Sequence, residues 1–170
     1  MTFVKKYAHY NESNVNIGVR GIPSGLIGKE YFKGQMTKQQ MLRYKYLLSL
    51  EGNDVASNLK WNLASSSVVF MPKPTAESYA MEGLLVPYVH YIPVNDDGSD
   101  LEEKLQWARE NDATCKWISE QATEYMDKLW LSDRAREDNI VIRNELANLY
   151  HEQFGKALHE CYKRRTSIVD

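Results

Sequence analysis

The chain predicts an α/β sandwich closed by a helical segment, and three observations carry that reading. Two apolar runs, Tyr46-Leu47-Leu48-Ser49-Leu50 and Ser67-Val68-Val69-Phe70-Met71, have the length and the β-branched or aromatic content of buried strands. A polar turn and a helix-length interval separate them, which makes a parallel strand-helix-strand pair. Strand-helix units come first along the chain and long helical patterns last, an order that suits a sheet covered by helices and a helical end.

The elements follow in order. Residues 1–35 carry Gly18, Gly21, Gly25, Gly28, Gly34 and Pro23 and read as an irregular segment with at most short strands. Thr37-Lys38-Gln39-Gln40 fits a capping box that opens a short helix before the first strand. After the second strand, Pro72-Lys73-Pro74 forms a stiff turn, Glu77 to Leu85 reads as a short helix, and Tyr88 to Val94 is a third strand behind Pro87. The box Ser99-Asp100-Leu101-Glu102 starts a helix with Leu101, Leu105 and Ala108 on its apolar face. Asn111-Asp112 breaks and recaps the chain, and Ala113, Trp117, Ile118, Ala122, Tyr125, Met126 and Leu129 continue at helical spacing. From Ser132 a long helix carries Ile142, Leu146, Leu149, Tyr150, Phe154, Leu158 and Cys161. The expected division is an irregular segment 1–35, an α/β ligand-binding domain 36–130, and a C-terminal helix 131–170 packed on that domain.

A chain of 170 residues with 43% hydrophobic content can bury a sizeable core. Its net charge of -2 and dispersed basic residues give no electrostatic footprint for nucleic acid. The cluster Lys163-Arg164-Arg165 suits a helix C-terminus. Cys115 and Cys161 fit no metal or redox spacing and read as core thiols. No apolar run long enough to span a membrane and no secretory leader is seen, although a leader would be missing anyway from the back half of a longer protein. His151 and His159 are too far apart to chelate jointly, so no metal is expected. A serine-hydrolase elbow, a phosphate-binding Walker loop and a Cys-His dyad are lacking, which leaves hydrolase and kinase chemistry without residues.

The stretch Glu51-Gly52-Asn53-Asp54 joins the first strand to its helix, and ligands of open parallel sheets bind beyond the carboxyl ends of strands. Gly52 would allow a tight turn and close approach of a ligand, while Asn53 or Asp54 would cap the helix and leave its outward N–H groups for an anion such as a diphosphate. A capped turn without a ligand fits the same four residues. Lys60, about two turns into the helix, is within reach of phosphate oxygens, and a solvated lysine is the plainer reading. Glu77 and Glu82 offer paired acceptors for sugar or ribose hydroxyls, or are surface carboxylates. Trp61 reads as core, and His90, inside an apolar strand, reads as a satisfied core histidine. A dinucleotide-cofactor enzyme would need a glycine fingerprint that this turn lacks.

Taken together, Tyr44-Lys45-Tyr46, Leu50 through Trp61 (LEGNDVASNLKW), Ser67-Val68-Val69 and Pro87-Tyr88-Val89-His90-Tyr91-Ile92-Pro93-Val94 resemble glycosyltransferase family 90. That family includes lipopolysaccharide- and capsule-associated glycosyltransferases and protein O-glucosyltransferases. The likeness runs through the Asp100-Leu101 helix and Asn111-Asp112 and covers roughly residues 36 to 130.

The resemblance implies one Rossmann-like half of a GT-B glycosyltransferase, the C-terminal, donor-binding half. It implies inverting transfer, without a metal or other cofactor, from a nucleotide sugar such as a UDP-sugar to a glycan, lipopolysaccharide or protein hydroxyl. The implied donor-binding positions are Glu51, Gly52, Asn53, Asp54, Asn58, Lys60, Glu77 and Glu82. Asn58 stands where the animal enzymes carry an arginine on the diphosphate, so that contact would fall to backbone N–H groups, Lys60 or Arg20. The catalytic base, an aspartate of the family's first half, has no counterpart to assign here. The implied partner is therefore a missing N-terminal half, and the alternative is a non-catalytic interaction module that retains the fold. A bacterial member would work in the cytoplasm or at a membrane, a eukaryotic one in the endoplasmic reticulum or Golgi lumen.

Overall fold

The computed structural model describes residues 36–166, with side chains through residue 155, and divides after Met126 into two units. The segment 1–35, including Arg20 and its glycines, lies outside the described residues, as do the side chains of Leu158, His159, Cys161, Lys163, Arg164 and Arg165.

In the first unit the order is α1 (Lys38–Met41), β1 (Tyr46–Leu48), α2 (Leu59–Leu63), β2 (Val68–Met71), a 3₁₀ turn (Glu82–Leu84), β3 (Ile92–Pro93), α3 (Leu101–Glu110) and α4 (Asp112–Met126). The capping box at Thr37 forms as expected. The Gln40 amide donates to Thr37 Oγ1 at 3.2 Å, and the Thr37 amide donates to Gln40 Oε1 at 2.8 Å. Among the described residues the sheet has three strands in the order β1-β2-β3, all parallel. Tyr46, Leu47 and Leu48 lie opposite Val68, Val69 and Phe70, and Phe70 and Met71 lie opposite Ile92 and Pro93.

Every residue of β2 is buried, because a central parallel strand is covered on both faces. Val68 and Phe70 join Ile92, Val94, Leu101, Ala108, Cys115 and Ile118 in one core, with Tyr46, Leu48, Leu50, Leu105 and Trp107 packed at its margin. Leu59 and Leu63 of α2 are also buried. Cys115 is a core thiol, its Sγ 3.5 Å from the Ala108 carbonyl, and burial pushes its pKa up.

Several elements differ from the sequence reading, each for a local reason. The third strand is only Ile92–Pro93, because the chain turns at Val86–Tyr91. Tyr88 has φ 59°, and the amides of Val89 and His90 both donate to the Val86 carbonyl. The helix expected over Glu77–Leu85 contracts to the 3₁₀ turn, since Met81 at φ 52° interrupts it and the Ser78 amide donates to the Glu82 carboxylate. At α3 the Ser99 box does not close: Ser99 Oγ and Asp100 Oδ1 bond Asn95 instead, and Asp100 takes the cap position without a side-chain bond. In α4 the buried stripe is Cys115, Ile118, Ser119, Ala122 and Met126, which leaves Trp117 45% exposed and Ala113 exposed as well.

In the second unit a π turn (Asp127–Leu131) precedes α5 (Asp133–Thr166), a helix of 34 residues. Ile142, Leu146, Leu149, Tyr150 and Phe154 are all exposed along it, and the Tyr150 and Phe154 rings meet at 5.0 Å, tilted by 38°.

Candidate functional site

The carboxyl end of β1 runs through Ser49, which is buried and accepts a bond from Asn62 Nδ2 at 2.8 Å. The chain then emerges at Glu51. Its carboxylate crosses to the loop beyond β2, where it accepts from the Thr75 amide at 3.1–3.2 Å, the Thr75 hydroxyl at 2.5 Å and the Ala76 amide at 3.3 Å. The loops after two adjacent parallel strands are thereby tied together at the rim where open α/β sheets bind ligands.

Gly52, Asn53 and Asp54 are exposed on this rim. The expected tight glycine turn is not what forms. Gly52 is not among the positive-φ residues, and a Cβ built on it would meet nothing within 4 Å. The caps expected from Asn53 or Asp54 do not form either, because Asp54 Oδ1 accepts from the adjacent Val55 amide at 2.8 Å and the chain bends over residues 52–55. α2 starts only at Leu59, with Asn58 at its cap position making no side-chain cap bond. Asn58 Nδ2 instead donates to the Leu48 carbonyl at 3.2 Å, fastening the helix entry to β1.

Lys60 is half-buried, with its ammonium 3.6 Å from Glu82 Oε1 and 4.7 Å above the Tyr79 ring. Glu82 is 1% exposed and accepts from both the amide and the hydroxyl of Ser78 at 2.7 Å. Glu77 lies against Gly83, its Oε1 3.1 Å from where a Cβ on that glycine would stand. The structure therefore gathers Glu51 with the exposed turn, and Lys60 with Glu82, while Asn58 serves the strand and Glu77 the 3₁₀ turn. Thr75, Ser78 and Tyr79 complete the arrangement. Nothing in their spacing marked them, since their role comes from loops meeting across the sheet.

His90 has the hydrogen-bond partner read from sequence but is half-buried in the turn before β3, not in a core strand: its Nδ1 accepts from the Val86 amide at 2.9 Å and its ring lies 5.0 Å from that of Tyr125. The Tyr125 hydroxyl lies 2.8 Å from both the Ala80 and the Met81 carbonyls. Burial above all, then the charges of Glu82 and Glu77, pushes its pKa up to about 12. Trp61, read as core, is half-buried with Lys38 5.9 Å from its ring. Among the described residues no group of three or more His, Cys, Asp or Glu is arranged to hold a metal, and no helix is long and apolar enough to cross a membrane.

Two groups whose pKa values are lowered, His90 and Glu82, make stability depend on pH on the acid side. Burial holds the His90 imidazole below its ordinary 6.5. Burial pushes the Glu82 carboxyl up, but the Ser78 amide and hydroxyl and the Lys60 charge outweigh it and leave the group below its ordinary 4.5. In both cases the unfolded chain takes up the proton first, so stability is full at neutral pH and falls as pH drops. Denaturant midpoints are expected to decline in two stages, first below the histidine value and again below the carboxylate value. His90→Gln removes only the first stage.

Comparison with known proteins follows the same segments. The family model for Glycosyl transferase family 90 matches residues 23–151, more than half of the chain. O-glucosyltransferase LpsA of Dichelobacter nodosus is 42% identical over 100 residues, covering 59% of this chain and 31% of that protein. Protein O-glucosyltransferase 2 of Danio rerio is 40% identical over 77 residues, 45% of this chain and 15% of its own. Protein O-glucosyltransferase 3 of Homo sapiens is 34% identical over 80 residues, again 15% of its length. The chain thus spans a third or less of these curated relatives. On the extent of the family match, the chain belongs to glycosyl transferase family 90.

Proposed function

We propose that this chain is the donor-binding part of an inverting, metal-independent glycosyltransferase of GT-B architecture. It holds a nucleotide sugar, UDP-linked, for transfer to a hydroxyl of a glycan, lipopolysaccharide or protein. The observation that carries the reading is the exposed Gly52–Asp54 bend at the carboxyl end of β1, tied through Glu51 to the loop after β2 in a family 90 chain. The names of the relatives, O-glucosyltransferases, favour glucose as the sugar and a hydroxyl as the acceptor.

In the transfer, a base takes the proton from the acceptor hydroxyl, the oxygen bonds to the anomeric carbon, and the sugar's bond to the diphosphate breaks. The base belongs to the N-terminal half that we assign to the rest of the enzyme. This chain's part is to seat the leaving diphosphate, whose charge needs oriented donors. With asparagine at position 58, those donors are the Asn53 and Asp54 amides of the exposed bend, the Gly52 amide being engaged with the Asp54 carbonyl at 3.2 Å, and the Lys60 ammonium, which lies 3.6 Å from Glu82.

Uridine nucleotides and UDP-sugars at saturation are expected to stabilise the protein by about 2–4 kcal/mol, read as a thermal shift. Absence of any shift across nucleotide sugars sinks the donor-site reading and leaves the interaction module, for which the exposed apolar residues of α5 speak. Gly52→Ala separates binding from folding. Since its Cβ meets nothing within 4 Å, stability should be unchanged or slightly raised. A donor seated against that backbone should lose about tenfold in affinity, roughly 1.4 kcal/mol.

A further inference from the structure

The loop from Pro72 to Glu82 has little regular structure of its own, yet it is pinned at two points by two carboxylates. Glu82 holds Ser78 from within the loop. Glu51 holds Thr75 and Ala76 from the neighbouring rim, by three donors from two residues. Directly after the pinned Ser78 stands Tyr79, 60% exposed, with Lys60 beneath its ring. A carboxylate so engaged has little acceptor capacity left for a ligand.

We infer that Glu51 is a positioning residue: it is a latch that fixes the Thr75–Tyr79 segment beside the Gly52–Asp54 bend, so that the two loops meet the nucleotide-sugar donor as one preset wall. The inference rests on the donor-site reading above. Its chemistry is preorganisation: a loop ordered before binding spares the ligand the entropy of ordering it. Glu51 itself contacts Thr75 and Ala76, and its effect on the donor passes through them.

The test combines Glu51→Ala with Thr75→Val, which removes only the hydroxyl donor. Amide hydrogen exchange without ligand should accelerate at Thr75 and Ala76 in Glu51→Ala and stay unchanged at Val69 and Phe70, where β2 is intact. UDP should then bind roughly tenfold more weakly to Glu51→Ala, and by a smaller factor to Thr75→Val. The double variant should be no weaker than Glu51→Ala alone, because its latch is already open. Unchanged exchange at Thr75 and Ala76 overturns the latch. Faster exchange with wild-type affinity overturns its positioning role. A double variant that binds more weakly than Glu51→Ala alone shows Thr75 acting on the donor independently of Glu51 and overturns it too. Wild-type protein that binds no nucleotide at all fails the donor-site reading itself. The exchange data would then leave the latch as a contact of the fold alone.

Discussion

Replacing Phe70 by alanine is expected to destabilise the protein by about 3–5 kcal/mol, the range for removing a buried aromatic side chain. Phe70 sits at the centre of β2, 2% exposed, between Leu48 on one neighbouring strand and Ile92 on the other. Its ring also meets Tyr46 edge-on at 5.5 Å, a geometry that adds to the area it buries. The strands around it are short, β1 of three residues and β3 of two, so few ladder bonds compensate for a cavity at this point. A denaturant midpoint that falls with an unchanged slope confirms the expectation. A loss under about 1 kcal/mol would show that the surrounding core collapses into the space, which the close packing of protein interiors opposes.

Glu82→Ala is expected to cost about 2–4 kcal/mol, although the residue carries a charge and a surface role was one reading of it. The carboxylate is buried and accepts from the Ser78 amide and hydroxyl at 2.7 Å each, with Lys60 3.6 Å away. Truncation leaves those donors without a partner in a place that water reaches poorly, and unmade bonds cost more than made ones contribute. Glu82→Gln keeps an acceptor oxygen and should lose less than half as much. Equal losses in the two variants, by chemical denaturation, would mean that shape and not hydrogen bonding sets the value of this side chain.

The strands were legible because their signal is local. Leu47 and Val68-Val69-Phe70-Met71 are apolar in short runs bounded by polar turns, and such runs can only be buried. The Thr37 cap and the long helices were legible for the same reason, since a helix start and a repeating apolar stripe are written within a few residues. The loop from Pro72 to Tyr91 was not. Its path depends on Met81 and Tyr88 in left-handed backbone, which neither residue type prefers, and on Tyr125 of a distant helix bonding the Ala80 and Met81 carbonyls. Trp117 misled because its spacing fits an apolar face, while the neighbouring elements cover the stripe of Cys115, Ile118 and Ala122 instead.

By itself the sequence determined a parallel α/β unit, its helical end, the polar connection that leaves the first strand at Glu51, and the family to which these motifs belong. Periodicity, caps and motif order are properties of neighbours in the chain, and the chain states them directly. Tertiary structure decided what each charged side chain of that rim does. It turned Glu51 toward Thr75, buried Glu82 against Ser78 and set Lys60 beneath Tyr79. Those choices follow from which loops the sheet brings side by side, since a carboxylate takes the donors that packing delivers to it.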